Sequence, residues 1–121
     1  MHKVTRYVNK TGKCPFIDFI SDLKKNKKIK ELTQIEIAIK LLEQYGFSLP
    51  QINKSYAKHL GGQLYELRPG NNRIIYFFYN DDQEYVLLHG FHKKTQKTPK
   101  REIELAKSEM KEYERMKKNE R

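Results

Sequence analysis

Three apolar runs in the second half of the chain constrain its fold more than any other feature. They cover Gln63–Arg68, Arg73–Tyr79 and Glu84–His92, and they are rich in Leu, Ile, Val, Tyr and Phe. Turn-forming residues separate them, first Pro69-Gly70-Asn71-Asn72 and then Asn80-Asp81-Asp82-Gln83. Short apolar runs bounded in this way are typical of consecutive antiparallel strands. The pattern therefore predicts a sheet whose strand pairing decides which side chains share a face.

The segments around these runs predict helices and one further strand. Weak alternation predicts a strand over Lys3–Val8, Pro15 suits the first position of a helix, and apolar residues at helical spacing predict a second helix over Ile29–Tyr45. Thr98-Pro99 is typical of an N-cap followed by proline at the start of a last helix. The expected fold is α+β, in the order β-α-α-β-β-β-α. It has an antiparallel sheet of about four strands, an N-terminal helical hairpin and a C-terminal helix, all in one domain over 1–121.

The charge of the chain indicates an acidic partner. Its 121 residues carry a formal net charge of +10, and the pI is about 9.6. A basic balance of this size favours a nucleic acid, an anionic membrane surface or an acidic protein as the partner. No apolar run approaches the roughly 20 residues that a membrane span requires, and the N-terminus has no signal-peptide core. The single cysteine, Cys14, fits a reducing compartment, so a cytoplasmic protein without a membrane partner is expected.

Loop lengths predict how the strands pair. If both turns are four-residue loops, Arg68 lies opposite Arg73, and Arg73 lies opposite Gly90. Alternation then places His92 on the face of both arginines, with Glu66 one step inward. Because opposed like charges destabilise a sheet, such a pair predicts an anion between the two guanidinium groups. Glu66 would orient an arginine, and Gly90 would leave space for a ligand.

Further basic residues border the same predicted site. Lys93 and Lys94 follow the last strand, and Lys58 and His59 lie in a loop before the first of the three runs. Cations that converge at one end of a sheet predict a polyanion-binding site, with RNA as the expected ligand. A catalytic role and a surface role both remain open for His59, whereas His89 is expected to be a packed, hydrogen-bonded histidine on the opposite face. No cluster of His, Cys or Asp has metal-ligand spacing, so neither a metal nor a cofactor is expected.

These segments resemble a known family. The HigB-like branch of the RelE/ParE toxin superfamily has runs similar to Leu64-Tyr65-Glu66-Leu67-Arg68, Arg73-Ile74-Ile75-Tyr76 and Gly90-Phe91-His92-Lys93-Lys94-Thr95-Gln96-Lys97-Thr98-Pro99. Its members are phage-associated toxins of bacterial type II toxin–antitoxin systems. The resemblance covers nearly the whole chain, because the order of elements also fits. The last of the three segments is the most specific one.

The resemblance implies a RelE-like fold and a toxin that enters the ribosomal A site and cleaves mRNA there without a metal. The RNA 2′-OH would attack its adjacent phosphate. Arg68 and Arg73 match two arginines of the family, and His92 stands where the superfamily often places a basic catalytic residue. The candidate site therefore comprises Arg68, Arg73, His92 and Lys93 as catalytic residues, and Lys94, Lys58, His59 and the orienting Glu66 as RNA-binding residues.

The resemblance also implies a partner, and it leaves alternatives open. A HigA-like antitoxin with a helix-turn-helix domain would neutralise the toxin, and operator DNA would be bound only through that antitoxin. The same fold hosts ParE-type toxins that inhibit gyrase, and a non-catalytic nucleic-acid-binding module would also fit the charge. The cluster of phosphate-binding side chains favours the nuclease. The catalytic C-terminal tyrosine of RelE-type toxins has no clear counterpart, since Tyr113 falls on the apolar side of the last helix.

Overall fold

The computed structural model describes residues 1–120, and its elements follow the apolar runs of the sequence. In chain order they are β1 (Lys3–Arg6), α1 (Pro15–Lys25), α2 (Ile29–Tyr45), a short 3-10 helix (Gly46–Ser48), α3 (Leu49–Ile52), β2 (Ala57–Gly61), β3 (Leu64–Leu67), β4 (Asn72–Tyr79), β5 (Glu84–His92) and α4 (Lys100–Asn119). α1 begins at Pro15. Proline has no backbone N–H, and this costs nothing at the first helical position, because an N–H there would have no acceptor within the helix. α2 ends at Tyr45, and the residue that follows it, Gly46, is the C-cap and adopts a φ of 54°.

The strands of residues 1–120 form one mixed sheet of five strands in the order β1-β5-β4-β3-β2. β1 runs parallel to β5, whereas the other neighbours are antiparallel. The expected α+β class is confirmed. The expected count of about four strands and the order β-α-α-β-β-β-α are wrong, because β2 and the short α3 form in a segment expected to be a loop. The expected purely antiparallel sheet is wrong because β1 pairs with β5 in parallel.

β2 and β3 are joined by a two-residue turn of Gly62 and Gln63, which follows Gly61 at the end of β2. The φ angles of Gly61 and Gly62, 121° and 53°, are ones that side chains with a Cβ rarely adopt. Ala57 at the start of β2 is fully buried opposite Leu67, which anchors the strand to the sheet. A Gly-Gly pair between two strands is a hairpin signal that the sequence does contain.

Helices cover both faces of the sheet. α1 and α2 lie on one face, over a core that includes Phe16, Leu23, Ile35, Leu42, Leu67, Ile74, Tyr76, Tyr85 and Leu87. α4 lies on the other face, over a second core that includes Leu64, Ile75, Phe77, Val86, Leu88, Ala106, Met110 and Tyr113. Within residues 1–120, no helix combines the length and the apolar character that crossing a membrane requires.

A bulge in β5 decides which side chains share the α4 face. The pairing of Tyr79 with Glu84 is the one that the loop length predicts. Further along the hairpin, Ile75 lies opposite His89, so that Leu88 is one extra residue in β5. A shift of one residue moves every later side chain of the strand to the other face.

The bulge changes the neighbours of Arg73. Arg73 lies opposite Phe91, so the expected pairing with Gly90 is wrong. Gly90 and His92 turn toward α1 and α2 instead of toward α4. A Cβ on Gly90 would come within 2.5 Å of the Phe19 ring, so this glycine makes room for a core aromatic ring and not for a ligand.

Candidate functional site

The carboxylate of Glu66 is the centre of a polar cluster at one end of the sheet. Glu66 is fully buried in β3. Its oxygens accept hydrogen bonds from Arg68 Nε at 3.0 Å and from the Thr98 hydroxyl at 2.6 Å, and Arg73 Nε lies 3.9 Å away. β3 and β4 pair as far as Leu67 and Ile74, which is the register that the loop length predicts, and Arg68 and Arg73 both lie at this end of the pairing. A shared carboxylate therefore holds two guanidinium groups together.

Arg73 is the fixed member of this pair. It is 7% exposed, and its Nη1 donates to the carbonyl oxygens of Gly70 at 2.9 Å and Asn72 at 2.7 Å. Burial lowers the pKa of Arg73 from its ordinary value, while the charge of Glu66 opposes this and the charge of Arg68 adds to it. An arginine nevertheless stays charged in proteins. Arg73 thus supplies positive charge from a rigid position.

Arg68 is the accessible member. Its side chain is 20% exposed, compared with 8% for Arg73. Besides the bond to Glu66, its Nη1 donates to the carbonyl of Lys54 at 3.3 Å. A guanidinium group has five N–H donors in a planar fork, which matches the oxygens of a phosphate. Arg68 can therefore bind an anion while Glu66 holds its orientation.

Thr98 connects the segment after β5 to this cluster. Its expected role as the N-cap of α4 is wrong, because its hydroxyl donates to Glu66 and the cap position is Pro99. The N–H of Lys93 donates to the Asn71 carbonyl at 2.8 Å, which extends the strand ladder by one residue. Alternation from Phe91, which packs against the α4-side core, then places Lys93 on the Glu66 face.

Of the two basic residues in β2, only one joins the cluster. Lys58 is exposed and lies directly opposite Glu66, so its side chain is on the same face. His59 lies opposite Tyr65 on the other face, with the two rings 4.6 Å apart. Its Nε2 lies 2.8 Å from the Gly62 carbonyl oxygen. The structure therefore separates His59 from the arginines.

His92 is also separated from the arginines, so the expected convergence of its imidazole with them is wrong. Its Nε2 lies 3.6 Å from Glu31 Oε1 of α2, and its side chain is 54% exposed. The same Glu31 oxygen accepts a hydrogen bond from Asn72 Nδ2 at 3.0 Å. The physical reason is the bulge in β5, which turns His92 to the face opposite Arg68.

Tyr113 lies in the core, as its place on the apolar side of α4 predicts. It is 8% exposed, and its hydroxyl donates to Glu84 at the far end of β5. Burial, together with the hydrogen bond and the charge of Glu84, raises the pKa of the Tyr113 hydroxyl. Its position at Glu84 places the Tyr113 hydroxyl at the end of β5 opposite to the Arg68 and Arg73 cluster.

A second buried polar cluster was not predicted from the sequence. His89 is packed and hydrogen-bonded as expected, but the bulge places it on the α4 face, so its expected face is wrong. Its Nδ1 lies 2.6 Å from Glu109 and its Nε2 lies 3.0 Å from Glu102. Burial alone would lower the pKa of His89, but the hydrogen bonds and charges of both carboxylates outweigh burial and raise it. The sequence signal for this cluster is the seven-residue spacing of Glu102 and Glu109, which puts both carboxylates on one side of a helix.

Donor groups for a metal ion are not arranged around either cluster. Within residues 1–120, no group of three or more His, Cys, Asp or Glu side chains is arranged to hold a metal ion. The guanidinium groups beside Glu66 have the N–H donors and the positive charge that bind an anion.

Comparison with known proteins agrees with this fold. A chain of the crystal structure of the archaeal RelE-RelB complex from Pyrococcus horikoshii OT3 superposes with a TM-score of 0.54 at 18% sequence identity, covering 77% of this chain and 96% of that one. No curated protein matches the sequence. The family model described as "Phage derived protein Gp49-like (DUF891)" matches residues 18–111. Since that match spans most of the sequence, the chain belongs to the Gp49-like family of phage-derived proteins.

Proposed function

We propose that this chain is the toxin of a type II toxin–antitoxin system and that it cleaves mRNA in the ribosomal A site. The observation that carries the proposal is the pair of guanidinium groups of Arg68 and Arg73 beside the buried carboxylate of Glu66. Membership of the Gp49-like family and a fold shared with a chain of a RelE-RelB complex support the toxin class. The resemblance to HigB-like toxins supports the nuclease within that class.

In the proposed reaction, the 2′-OH of one ribose loses its proton to water and attacks the adjacent phosphorus. The bond to the 5′-oxygen of the next nucleotide breaks, which leaves a 2′,3′-cyclic phosphate and a 5′-OH whose proton comes from an ammonium group of the protein. Negative charge grows on the non-bridging oxygens, and N–H donors aimed at those oxygens stabilise it. Arg68 contacts the phosphate, because it is the more exposed of the two arginines. Arg73 acts as a positioning residue that adds positive charge and fixes the cluster through Glu66.

Lysine side chains are the candidates for proton transfer in this proposal. His92 lies on the other face of the sheet and does not border a phosphate bound at Arg68. Lys58 lies opposite Glu66, whereas Lys93 and Lys94 follow β5 on the way to Thr98. An ammonium group at any of these positions can donate a proton to the leaving oxygen. The lysines of this group that do not donate the proton bind neighbouring phosphates of the RNA.

An antitoxin completes the proposed system. The solved neighbour belongs to a complex of RelE with RelB. We propose that this chain likewise binds a second protein, a HigA-like antitoxin with a helix-turn-helix domain, and that it reaches operator DNA only through that partner. Because the proposed cleavage takes place on the ribosome, the protein acts in the cytoplasm.

Expression of the chain in bacterial cells, followed by two readouts, tests the proposed function. Primer extension on a translated mRNA detects cleavage, and a supercoiling assay detects inhibition of gyrase. We expect cut mRNA and normal supercoiling. Inhibited supercoiling without cleavage would replace the nuclease with a ParE-type toxin, and an absence of both effects would leave a nucleic-acid-binding module.

Arg68→Ala tests the site itself. We expect it to lower the rate of mRNA cleavage by at least about 10²-fold, which is the size of effect seen when one donor to a developing oxyanion is lost. Arg6→Ala is the matched control, since it removes an exposed arginine from β1 with the same change in net charge. Full cleavage by Arg68→Ala would refute the assignment of the phosphate to this cluster.

A further inference from the structure

The outer edge of β5 is only partly covered by its neighbouring strand. β1 pairs with β5 from Glu84 to Leu87, and a further hydrogen bond joins the Tyr7 N–H to the Leu87 carbonyl at 2.9 Å. β5 itself continues to His92, and β1 is the only strand on this side of it within residues 1–120. The stretch from Leu88 to His92 is therefore a strand edge without a neighbour, about 17 Å long at the usual rise per residue.

Gly90 lies in this edge and directs its backbone polar groups away from β4. The Lys93 N–H donates to the Asn71 carbonyl, so the backbone of Lys93 is hydrogen-bonded on the β4 side. In an antiparallel pair every second residue bonds to the partner strand, so Phe91 also bonds to β4 while the N–H and C=O of Gly90 point outward. Gly90 is only half-buried and has no side chain to shield these groups. Such an edge is a template for another strand.

A surface cavity of about 730 Å³ lies along the free edge, between α1 on one face of the sheet and α4 on the other. Gly90 and Phe91 are among the residues of β5 that line it. The described lining residues include no Lys or Arg, but they include five acidic ones: Asp18, Asp22, Glu102, Glu109 and Glu112. In a chain with a net charge of +10, the cavity is thus an acidic exception.

The carboxylates on the α1 side are not neutralised by the chain. Asp18 and Asp22 are exposed and lie one helical turn apart on the same side of α1. Among residues 1–120, neither side chain has a hydrogen-bond or ion-pair partner. Two unpaired carboxylates beside an open strand edge favour a cationic ligand.

Negative charge is also in excess on the α4 side. Glu102 and Glu109 share the single imidazole of His89. Glu112 accepts hydrogen bonds only from neutral groups, the Tyr7 hydroxyl at 2.9 Å and a backbone N–H at 3.1 Å. A ligand at the edge of β5 would therefore meet negative charge from both helices.

We infer that the free edge of β5 binds an extended, basic segment of another protein as an additional strand. Main-chain hydrogen bonds hold such a segment, and side-chain contacts select it. Successive side chains of a strand point to opposite faces, so Lys or Arg at successive positions reach the carboxylates of α1 and of α4 in turn. RNA is repelled by these carboxylates, and two copies of a chain with a net charge of +10 repel each other. The inference does not rest on the proposed function, since it involves neither Arg68 nor RNA.

A labelled peptide of the sequence Thr-Lys-Arg-Val-Lys-Arg-Thr is the probe, and fluorescence anisotropy measures its affinity for the unmodified protein. N-methyl groups on two successive central residues remove N–H donors from both edges of the peptide strand but leave its charge unchanged. We expect the unmodified peptide to bind and the N-methylated peptide to bind at least about tenfold more weakly, because main-chain hydrogen bonds are lost. Equal affinities of the two peptides, or no binding of either, would overturn the inference.

The double variant Asp18→Asn/Asp22→Asn tests the charge of the cavity. We expect it to bind the peptide about tenfold more weakly, because two ion pairs are lost. The matched control is Glu36→Gln/Glu120→Gln, which makes the same change in net charge at exposed positions outside the cavity. Equal losses of affinity in the two variants would assign the effect to the net charge of the protein and refute a site at this edge. The comparison of the two peptides stays decisive even if a variant folds poorly, since it uses the unmodified protein.

Amide hydrogen exchange locates the bound peptide. We expect the Gly90 N–H to exchange at least about tenfold more slowly in the complex, whereas the Phe91 N–H, which already bonds to β4, should change little. Unchanged exchange at Gly90 would place the peptide elsewhere and contradict strand addition. Sedimentation of the unmodified protein tests the other occupant: a dimer that Asp18→Asn/Asp22→Asn dissociates would assign the edge to a second copy of this chain instead.

Discussion

Two polar clusters lie on the same face of the sheet, and they differ in which charge is in excess. Glu66 pairs with Ile75, and Ile75 pairs with His89, so both clusters belong to one cross-strand row. Around Glu66, one carboxylate faces two guanidinium groups. Around His89, one imidazole faces two carboxylates. The first cluster is thus left with positive charge and the second with negative charge.

The two clusters also differ in how exposed their side chains are, which decides whether the excess charge can attract a ligand. The Arg68 side chain is 20% exposed beside the fully buried Glu66, so an anion in solvent has access to its guanidinium group. The His89 side chain is only 6% exposed and has a carboxylate beside each ring nitrogen. A buried polar cluster that is complete in itself holds elements together, whereas one that lacks an anion can bind a ligand. The two clusters should therefore respond differently to substitution, anions and pH.

The largest effect on stability should come from His89→Ala. The substitution leaves Glu109, which is 6% exposed, without its partner beneath α4. Removing one member of a buried ion pair typically costs about 3–5 kcal/mol, and a cost of that size is expected here in the free energy of unfolding. Urea denaturation below pH 6.5, where histidine is charged, measures it.

His92→Ala is the matched control for that measurement. His92 is exposed and also lies near a glutamate, so its ion pair should contribute less than about 1 kcal/mol. If His89→Ala and His92→Ala lower the free energy of unfolding by similar amounts, the buried His89 cluster contributes no more stability than an exposed ion pair.

The next largest effect should come from Glu66→Gln. The side chain keeps its shape, but the negative charge between Arg68 and Arg73 is lost. We expect the free energy of unfolding to fall by about 2–3 kcal/mol, below the range for fully buried pairs, because Arg68 is partly exposed. Sulfate should restore part of this stability by binding between the guanidinium groups.

The comparison with His89→Ala isolates that anion effect. Sulfate stabilises folded proteins in general, so its effect on each variant is measured by urea denaturation at equal ionic strength in sulfate and in chloride. We expect sulfate to stabilise Glu66→Gln more than the original protein or His89→Ala. Equal stabilisation of all three proteins would count against an anion site at Arg68.

The pH dependence of stability should be smaller and should originate at His89. Its pKa is raised in the folded protein, since the two glutamates outweigh burial. The extra stability is fully present below the unfolded pKa of about 6.5 and is lost as pH rises through the folded pKa. The free energy of unfolding of the original protein should therefore fall as the pH rises from the unfolded pKa of His89 to its higher folded pKa. A curve of the same slope for His89→Ala would assign the effect to another group.

Much of the fold could be predicted from the sequence, because local signals determine it. Pro15 marks the start of α1, Gly46 marks the end of α2, and two turn segments delimit β4. The length of the first turn also predicts the register that pairs Leu67 with Ile74, because a hairpin register follows from the length of its turn. β2 was missed since exposed Lys58 and His59 hide its alternation.

The site could be predicted only in part, because the bulge in β5 has no sequence signal. The segment from Val86 to Leu88 is apolar throughout, as both faces of the sheet are covered by helices. An extra residue in such a run breaks no visible alternation. The positions of His89 and His92 depend on this one residue, whereas those of Glu66, Arg68 and Arg73 do not.

The smallest effect on catalysis should therefore come from His92→Gln. The bulge keeps the imidazole beside Glu31, so mRNA cleavage by this variant should stay within about twofold of the original rate, with an unchanged pH profile. Loss of a true general acid or base would instead lower the rate by about 10²-fold or more. Primer extension over a range of pH measures both quantities. A large fall in rate with an altered pH profile would mean that the RNA passes around the end of the sheet and contacts both faces. In that case the anion site at Arg68 would be only half of the catalytic centre.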